Sequence, residues 1–346
     1  MTVENFFHIY VSSLSGGRID VFNLNADTGE MSRKQAVELS GKGLPLAVSP
    51  DRRRLYASVI GEVDGEEEPR YETFRIASAS GELVHLDTVK APARMAHISV
   101  DRTGRFLLGA SFPSDLIAVN PIGARGYVQE TPSDLRSAPG KAHQIMTDAS
   151  NRFAFVPNFG AALVMQVLFD ERTGTLSDNA PPSFEQPAES RPRHVAHHPD
   201  GRFVYLLNEK EGVVVACELD PHAGTLAEIQ RENIMPHAFE DEPWSAQIHV
   251  TPDGRQLFCS ERRSSTLCRF AIDLQSGRLS ERSLQDTDEV PRCFDIDPTG
   301  TWLVSAGQMT SQLIAYRIDG ESGRLEETSR VGTSDEPVWV EIVELP

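Results

Sequence analysis

One phrase recurs along the chain, and its spacing limits the fold more than any single residue does. Pro199-Asp200-Gly201-Arg202-Phe203-Val204-Tyr205 returns as Pro252-Asp253-Gly254-Arg255-Gln256-Leu257-Phe258 and as Pro298-Thr299-Gly300-Thr301-Trp302-Leu303-Val304. Weaker copies surround Arg53, Arg105 and Arg152. Taking Arg53, Arg105, Arg152, Arg202, Arg255 and Thr301 as equivalent points, the gaps are 52, 47, 50, 53 and 46 residues. A period of that size is a four-stranded propeller blade rather than a helical repeat. Each unit carries a second landmark, a glycine turn between two short alternating runs, at Gly29, Gly81, Gly174, Gly224, Gly277 and Gly323. No stretch keeps a helical apolar period over ten residues, so the predicted class is all-β.

The termini set the blade count. Residues 6–12 read as a second strand lacking a first, and residues 337–342 as a first strand lacking a second. Pairing the C-terminal strand with the N-terminal ones closes the ring and removes its exposed edges. First strands near residues 45, 95, 143, 193, 246, 292 and 338 then predict one seven-bladed β-propeller of four-stranded blades, a single domain over 1–346. The acidic stretch Glu62–Glu68 is expected to be an exposed loop.

Composition narrows the function. With 51 acidic and 33 basic residues the formal charge is −18, which repels phosphate backbones and anionic lipid, so neither nucleic acid nor membrane is an expected partner. No apolar run approaches the length of a membrane helix, and the start Met1–Asn5 carries no basic leader pattern. Cys217, Cys259, Cys268 and Cys293 form no CxxC pair and sit in apolar runs, as buried thiols of a cytoplasmic protein do.

In a propeller the start of each first strand and the end of each second strand reach the same mouth of the central channel. Here the starts offer His97, His143, Arg193, His194, Gln247, Arg292 and Trp339; the ends offer Asn158, Asn208, Glu209, Glu261, Arg262 and Gln308. Arginines and histidines gathered within an acidic protein make a local anion site, suited to a small carboxylate or phosphate. Glu209 and His143 are the groups able to take a proton from water, Gln308 and Asn158 are candidate donors, and Trp244 and Trp339 are candidate walls. A buried Arg193–Glu209 ion pair serving structure alone is the rival reading, which the clustering of cations at one mouth weakens without removing. His197 and His198 read as strand and turn residues. There is no GxSxG, HExxH, Walker or dinucleotide motif, and the arginines oppose a calcium ion at Glu209 and Asn158, so no metal or cofactor is expected.

The segments Arg191–Pro199, Leu207-Asn208-Glu209, Trp244–Gly254, Ser305–Gln308 and Pro337–Val340 resemble those of the bacterial seven-bladed propeller lactonases, the 6-phosphogluconolactonase family, itself similar to carboxymuconate-lactonizing enzymes. The resemblance spans about residues 7–341 and implies opening of an anionic sugar lactone without metal or nucleotide. It places a catalytic quartet on His143, Arg193, Glu209 and Arg262, with His194, Arg292, Gln308, Asn158, Trp244 and His97 around the substrate. Between Val59 and Tyr71, and at Pro243, the chain has acidic residues or proline where the family pattern leads one to expect arginine. A galactaro- or glucaro-lactone, with a second carboxylate in place of phosphate, is therefore a rival substrate. Two rival activities are a muconate-type lactonizing cyclase and a non-enzymatic binding platform, and the oligomeric state is left open.

Overall fold

The computed structural model describes residues 5–346; Met1–Glu4, most of the start read for a leader, lie outside them. Seven four-stranded antiparallel sheets form a ring. Blade one runs Gly41–Val48, Arg54–Val63, Glu66–Ile76, Leu83–Lys90, and blade four runs Pro192–His197, Phe203–Asn208, Val213–Asp220, Thr225–Asn233. Blade seven is shared between the chain ends: Pro337–Val343 pairs antiparallel with Phe6–Ser13, Ile9 facing Ile342 and Val11 facing Val340. Seven apolar clusters hold the blades together, and the one at the closure joins Ile9, Val11, Val340 and Ile342 to Trp302 and Leu313 of blade six. Among the described residues no helix is long and apolar enough to cross a membrane.

Both repeated landmarks have one cause. The turn glycine of a blade packs on the residue that follows the recurring turn in the preceding blade: Gly174 on Phe106, Gly224 on Phe153, Gly277 on Phe203 and Gly29 on Trp302. Gly224 has φ +65°, and a Cβ there would overlap the Phe153 ring. The glycine is thus required by backbone sign and by the neighbouring blade together. The four cysteines are free and buried.

One expectation is corrected. The acidic stretch is a hairpin rather than a loop: the second and third strands of blade one extend to Val63 and from Glu66 around a two-residue Asp64–Gly65 turn. Asp64 at φ 53° and Gly65 at φ 84° are both left-handed, the type I′ geometry that an Asp-Gly pair favours. Glu62, Glu66 and Glu67 are exposed and Glu68 is half-buried; Glu67 meets Lys42 and Glu68 meets Lys90 across the sheet, while Glu68 also pairs with Arg70 two residues along its own strand.

Gly224→Ala is expected to destabilise the protein by about 2–4 kcal/mol, from the left-handed backbone plus the ring overlap. Gly65→Asn, at a turn with nothing within 4 Å of the added carbon, is expected to cost far less. Urea midpoints measure both; equal midpoints would contradict the blade-packing account.

Candidate active site

Two positions in each blade build the site. Leu44, Ala96, His143, Arg193, Ala246 and Arg292 each stand nine residues before the turn point of their blade, at the entrance of the first strand. Phe112, Phe159, Glu209, Arg262 and Gln308 each stand seven residues after it, just beyond the second strand. The antiparallel ladder joins the two sets, as where the Glu209 amide donates to Arg191 O and that of His143 to Pro157 O, each at 2.9 Å. At this end of the channel lies a cavity of about 330 Å³, small enough for a single metabolite. Its polar lining is Arg94, His143, Arg193, His194, Glu209, Gln247 and Arg292, and Leu44, Met95, Phe112, Phe159 and Trp339 supply the apolar part.

At the polar side a buried carboxylate is shared by two guanidinium groups. Glu209 Oε2 accepts from Arg193 Nη1 at 2.7 Å and lies 2.9 Å from Arg262 Nη2. Arg193 Nε donates to Ala246 O at 2.7 Å, and Arg262 donates to Trp244 O at 2.9 Å and to Ser245 O at 3.1 Å. The Arg262 guanidinium lies 4.0 Å over the Trp244 ring. All three charged side chains are therefore fixed in position, while Glu209 Oε1 accepts no hydrogen bond within the described residues. Arg193 Nη1 also meets His143 Nε2 at 2.7 Å, so that nitrogen acts as the acceptor and the ring hydrogen sits on Nδ1. Burial, then the charges of Arg193, Arg292 and Arg262, hold His143 well below the usual imidazole range. His194, between His143 and His97 at ring separations of 5.0 and 5.8 Å, is kept neutral by burial and by Arg193. Neither of its ring nitrogens has a partner among the described residues.

The cation balance is uneven. Glu209 is the only carboxylate among the described residues that line the cavity, against Arg94, Arg193 and Arg292. Arg292 makes no ion pair or side-chain hydrogen bond within the described residues, and burial with the charge of Arg193 pushes it down to about 10. A protein with formal charge −18 thus keeps unneutralised positive charge in one small hole.

The expected residues are distributed as follows. His143, Arg193, His194, Glu209 and Arg292 line the cavity. Arg262 stands behind Glu209, Trp244 behind Arg262, and His97 behind His194 and Trp339, 5.4 Å from the latter ring. Gln308 is half-buried and does not line the cavity. Nor does Asn158, whose amide donates to Val156 O at 2.7 Å. It stands one residue before the cavity-facing position, as do Asn208 and Glu261, which bond locally to Glu211 and to the Trp244 and Ser264 amides. A shift of one residue on a strand reverses the face. His198 serves its turn, bonding Gly254 O and Asp200. Among the described residues no three His, Cys, Asp or Glu side chains are grouped as a metal requires. Arg94, Phe112 and Phe159 escaped the sequence reading; the two phenylalanines share the position of Glu209, and that equivalence was the available signal.

Below the cavity the Trp339 indole N–H donates to Glu341 Oε1 at 2.7 Å. Glu341 faces Asp295, whose carboxylate accepts the Ile296 and Ile342 amides and lies 3.8 Å from His249 Nδ1. Burial raises both acids, Asp295 to about 7 and Glu341 to about 8, each helped by a carboxylate neighbour, Asp297 and Asp295 respectively.

The family model described as "Lactonase, 7-bladed beta-propeller" matches residues 8–342. A Pectobacterium carotovorum protein named 6-phosphogluconolactonase is 34% identical over 290 residues, 84% of each chain. A Pectobacterium atrosepticum protein of the same name is 33% identical over the same shares. Among solved structures, the Pseudomonas aeruginosa periplasmic gluconolactonase superposes with TM-score 0.91 at 24% identity, covering 99% of this chain and 100% of that one. A Lactobacillus plantarum protein does so with TM-score 0.88 at 23% identity, covering 98% and 100%.

Because the folded state holds Asp295 and Glu341 protonated to higher pH than the unfolded chain does, it binds more protons between about pH 4 and pH 8, and stability falls as pH rises through that window. Glu341→Gln removes one charge and keeps the acceptor for Trp339. The Tm of the variant is expected to gain on that of wild type by a few degrees between pH 5 and pH 9. A constant difference would contradict the burial of ionisable acids beneath the site.

Proposed function

The chain belongs to the seven-bladed β-propeller lactonase family, and from that premise we propose that it hydrolyses a sugar δ-lactone, with 6-phosphogluconolactone as substrate. The observation carrying this reading is Glu209, clamped through one oxygen by Arg193 and Arg262 and left with the other free, inside a cavity of net positive charge. The name shared by the relatives at 33–34% identity supports the phosphorylated substrate. The four buried free thiols accord with a reducing cytoplasm.

Water attacks the ring carbonyl carbon while Glu209 Oε1 takes its proton. Arg193, whose Nη2 makes no hydrogen bond within the described residues, donates to the oxyanion of the tetrahedral intermediate. The ring C–O bond then breaks, and the departing ring oxygen takes the proton back from Glu209, leaving an open-chain hydroxyl and a carboxyl group. His143 accepts from Arg193 through Nε2 and so cannot take a proton there; it holds the guanidinium in place. Between the two candidate bases this geometry favours Glu209. Sugar δ-lactones open slowly on their own, so a general base worth about 10²–10⁴ and an oxyanion donor worth about 10²–10³ are sufficient.

Proton release measured over phosphorylated, neutral and dicarboxylic sugar lactones, corrected for the spontaneous rate, tests the assignment. The phosphorylated lactone is expected to turn over fastest. Glu209→Gln is expected to lower kcat by about 10²–10⁴ and Arg193→Met by about 10²–10³, with near-ultraviolet circular dichroism unchanged. Wild-type rates in both variants would overturn the mechanism. Preference for a dicarboxylic lactone, or loss of diene absorbance with a muconate-type diacid, would reassign the substrate.

A further inference from the structure

The arginines at the site fall into two pairs. Arg193 and Arg262 are committed to Glu209 and to three backbone carbonyls. Arg292 and Arg94 have no side-chain hydrogen bond or ion pair within the described residues, yet both line the same cavity. Arg94 lies in the link between Leu83–Lys90 of blade one and His97–Val100 of blade two, with its side chain exposed at the rim. The backbone presenting it is fixed on both sides. Ser111 Oγ donates to Arg94 O at 2.8 Å, the Ala96 amide donates to Ala110 O at 2.8 Å, and Met95 between them is buried. The rigid link thus brings a second unpaired guanidinium, beside that of Arg292, to a cavity already short of negative charge.

We infer that Arg94 and Arg292 together hold the phosphate of the substrate, Arg94 from the rim and Arg292 from the wall, and that this pair selects phosphorylated over unphosphorylated lactones. The inference rests on the hydrolase reading above. A phosphate monoester carries about −1.5 to −2 charge at pH 7 and three acceptor oxygens, which two guanidinium forks from different walls can share. A carboxylate is satisfied by one fork. Blade two thereby supplies a cation that the acidic hairpin of blade one does not. With the phosphate drawn to Arg292 and the rim, the lactone ring is left to the Arg193–Glu209 side of the cavity, where the base and oxyanion donor stand.

The test compares kcat/KM for 6-phosphogluconolactone and for unphosphorylated gluconolactone in wild type, Arg94→Met, Arg94→Lys and Arg292→Met. Arg94→Met is expected to reduce the preference for the phosphorylated lactone by about 10- to 100-fold, chiefly through KM. Arg94→Lys is expected to recover part of that preference, since it restores the charge without the fork. An unaltered preference in Arg94→Met, or equal losses on both lactones, would overturn the inference. Inorganic phosphate gives a second readout that does not depend on turnover. If wild type opens neither lactone, the hydrolase reading fails, and Arg94 is judged on phosphate alone. A phosphate-dependent rise in wild-type Tm that is lost in Arg94→Met supports the site. No rise in wild type, or the same rise in the variant, rejects it.

Discussion

A carboxylate in the wall of a protein is tolerable only when its charge is met, and at Glu209 two guanidinium groups from adjoining blades meet it on a single oxygen. Arg193 stands in blade four and Arg262 in blade five, so the contact also ties those blades together at the channel mouth. Each arginine is in turn fixed by carbonyls at the first strand of blade five, at Trp244, Ser245 and Ala246. Removing Glu209 leaves two buried guanidinium groups facing each other unpaired, and removing either arginine leaves the carboxylate held from one side only, which is why these groups are better described as a unit than as separate contributors. The unit leaves one carboxylate oxygen unused, and the hydrolytic chemistry proposed for the site depends on that oxygen.

The ring supplies the precision this arrangement needs. The turn glycines lock neighbouring blades through ring contacts at the starts of the second strands, and Pro337–Val343 covers the inner edge of Phe6–Ser13 to complete blade seven. Because the first-strand entrances and second-strand exits recur at fixed offsets from the turn, substituting one side chain per blade changes the cavity without changing the scaffold. Leucine, alanine and phenylalanine at these offsets in blades one to three supply apolar lining; arginine, glutamate and histidine in blades three to six supply the polar, charged part of the site. Function here is a pattern of residues written on a repeated frame.

That frame makes the convergence of the candidate site legible in the sequence. The repeat period fixed blade number and closure, and the convergence of His143, Arg193, Glu209 and Arg262 followed from strand direction alone. What failed did so for local reasons. Asn158 was placed one residue away from the cavity-facing Phe159, an error to which any strand of alternating faces is prone. Arg94 lies in a link between blades, where neither the turn nor the glycine landmark gives a register. The Asp64–Gly65 turn was hidden by its own charge, since a run of glutamates reads as a solvated loop even when it continues a hairpin. The division of the arginines into committed and free pairs needed side-chain geometry that spacing does not contain.

The most direct measurement is a crystal structure with an unreactive lactam analogue of the phosphorylated lactone. The account predicts the ring carbonyl carbon within reach of a water held by Glu209 Oε1, its oxygen toward Arg193, and the phosphate between Arg292 and Arg94. An analogue bound with its phosphate on Arg193 and Arg262, or with its carbonyl facing the Phe112–Phe159 wall, would contradict it.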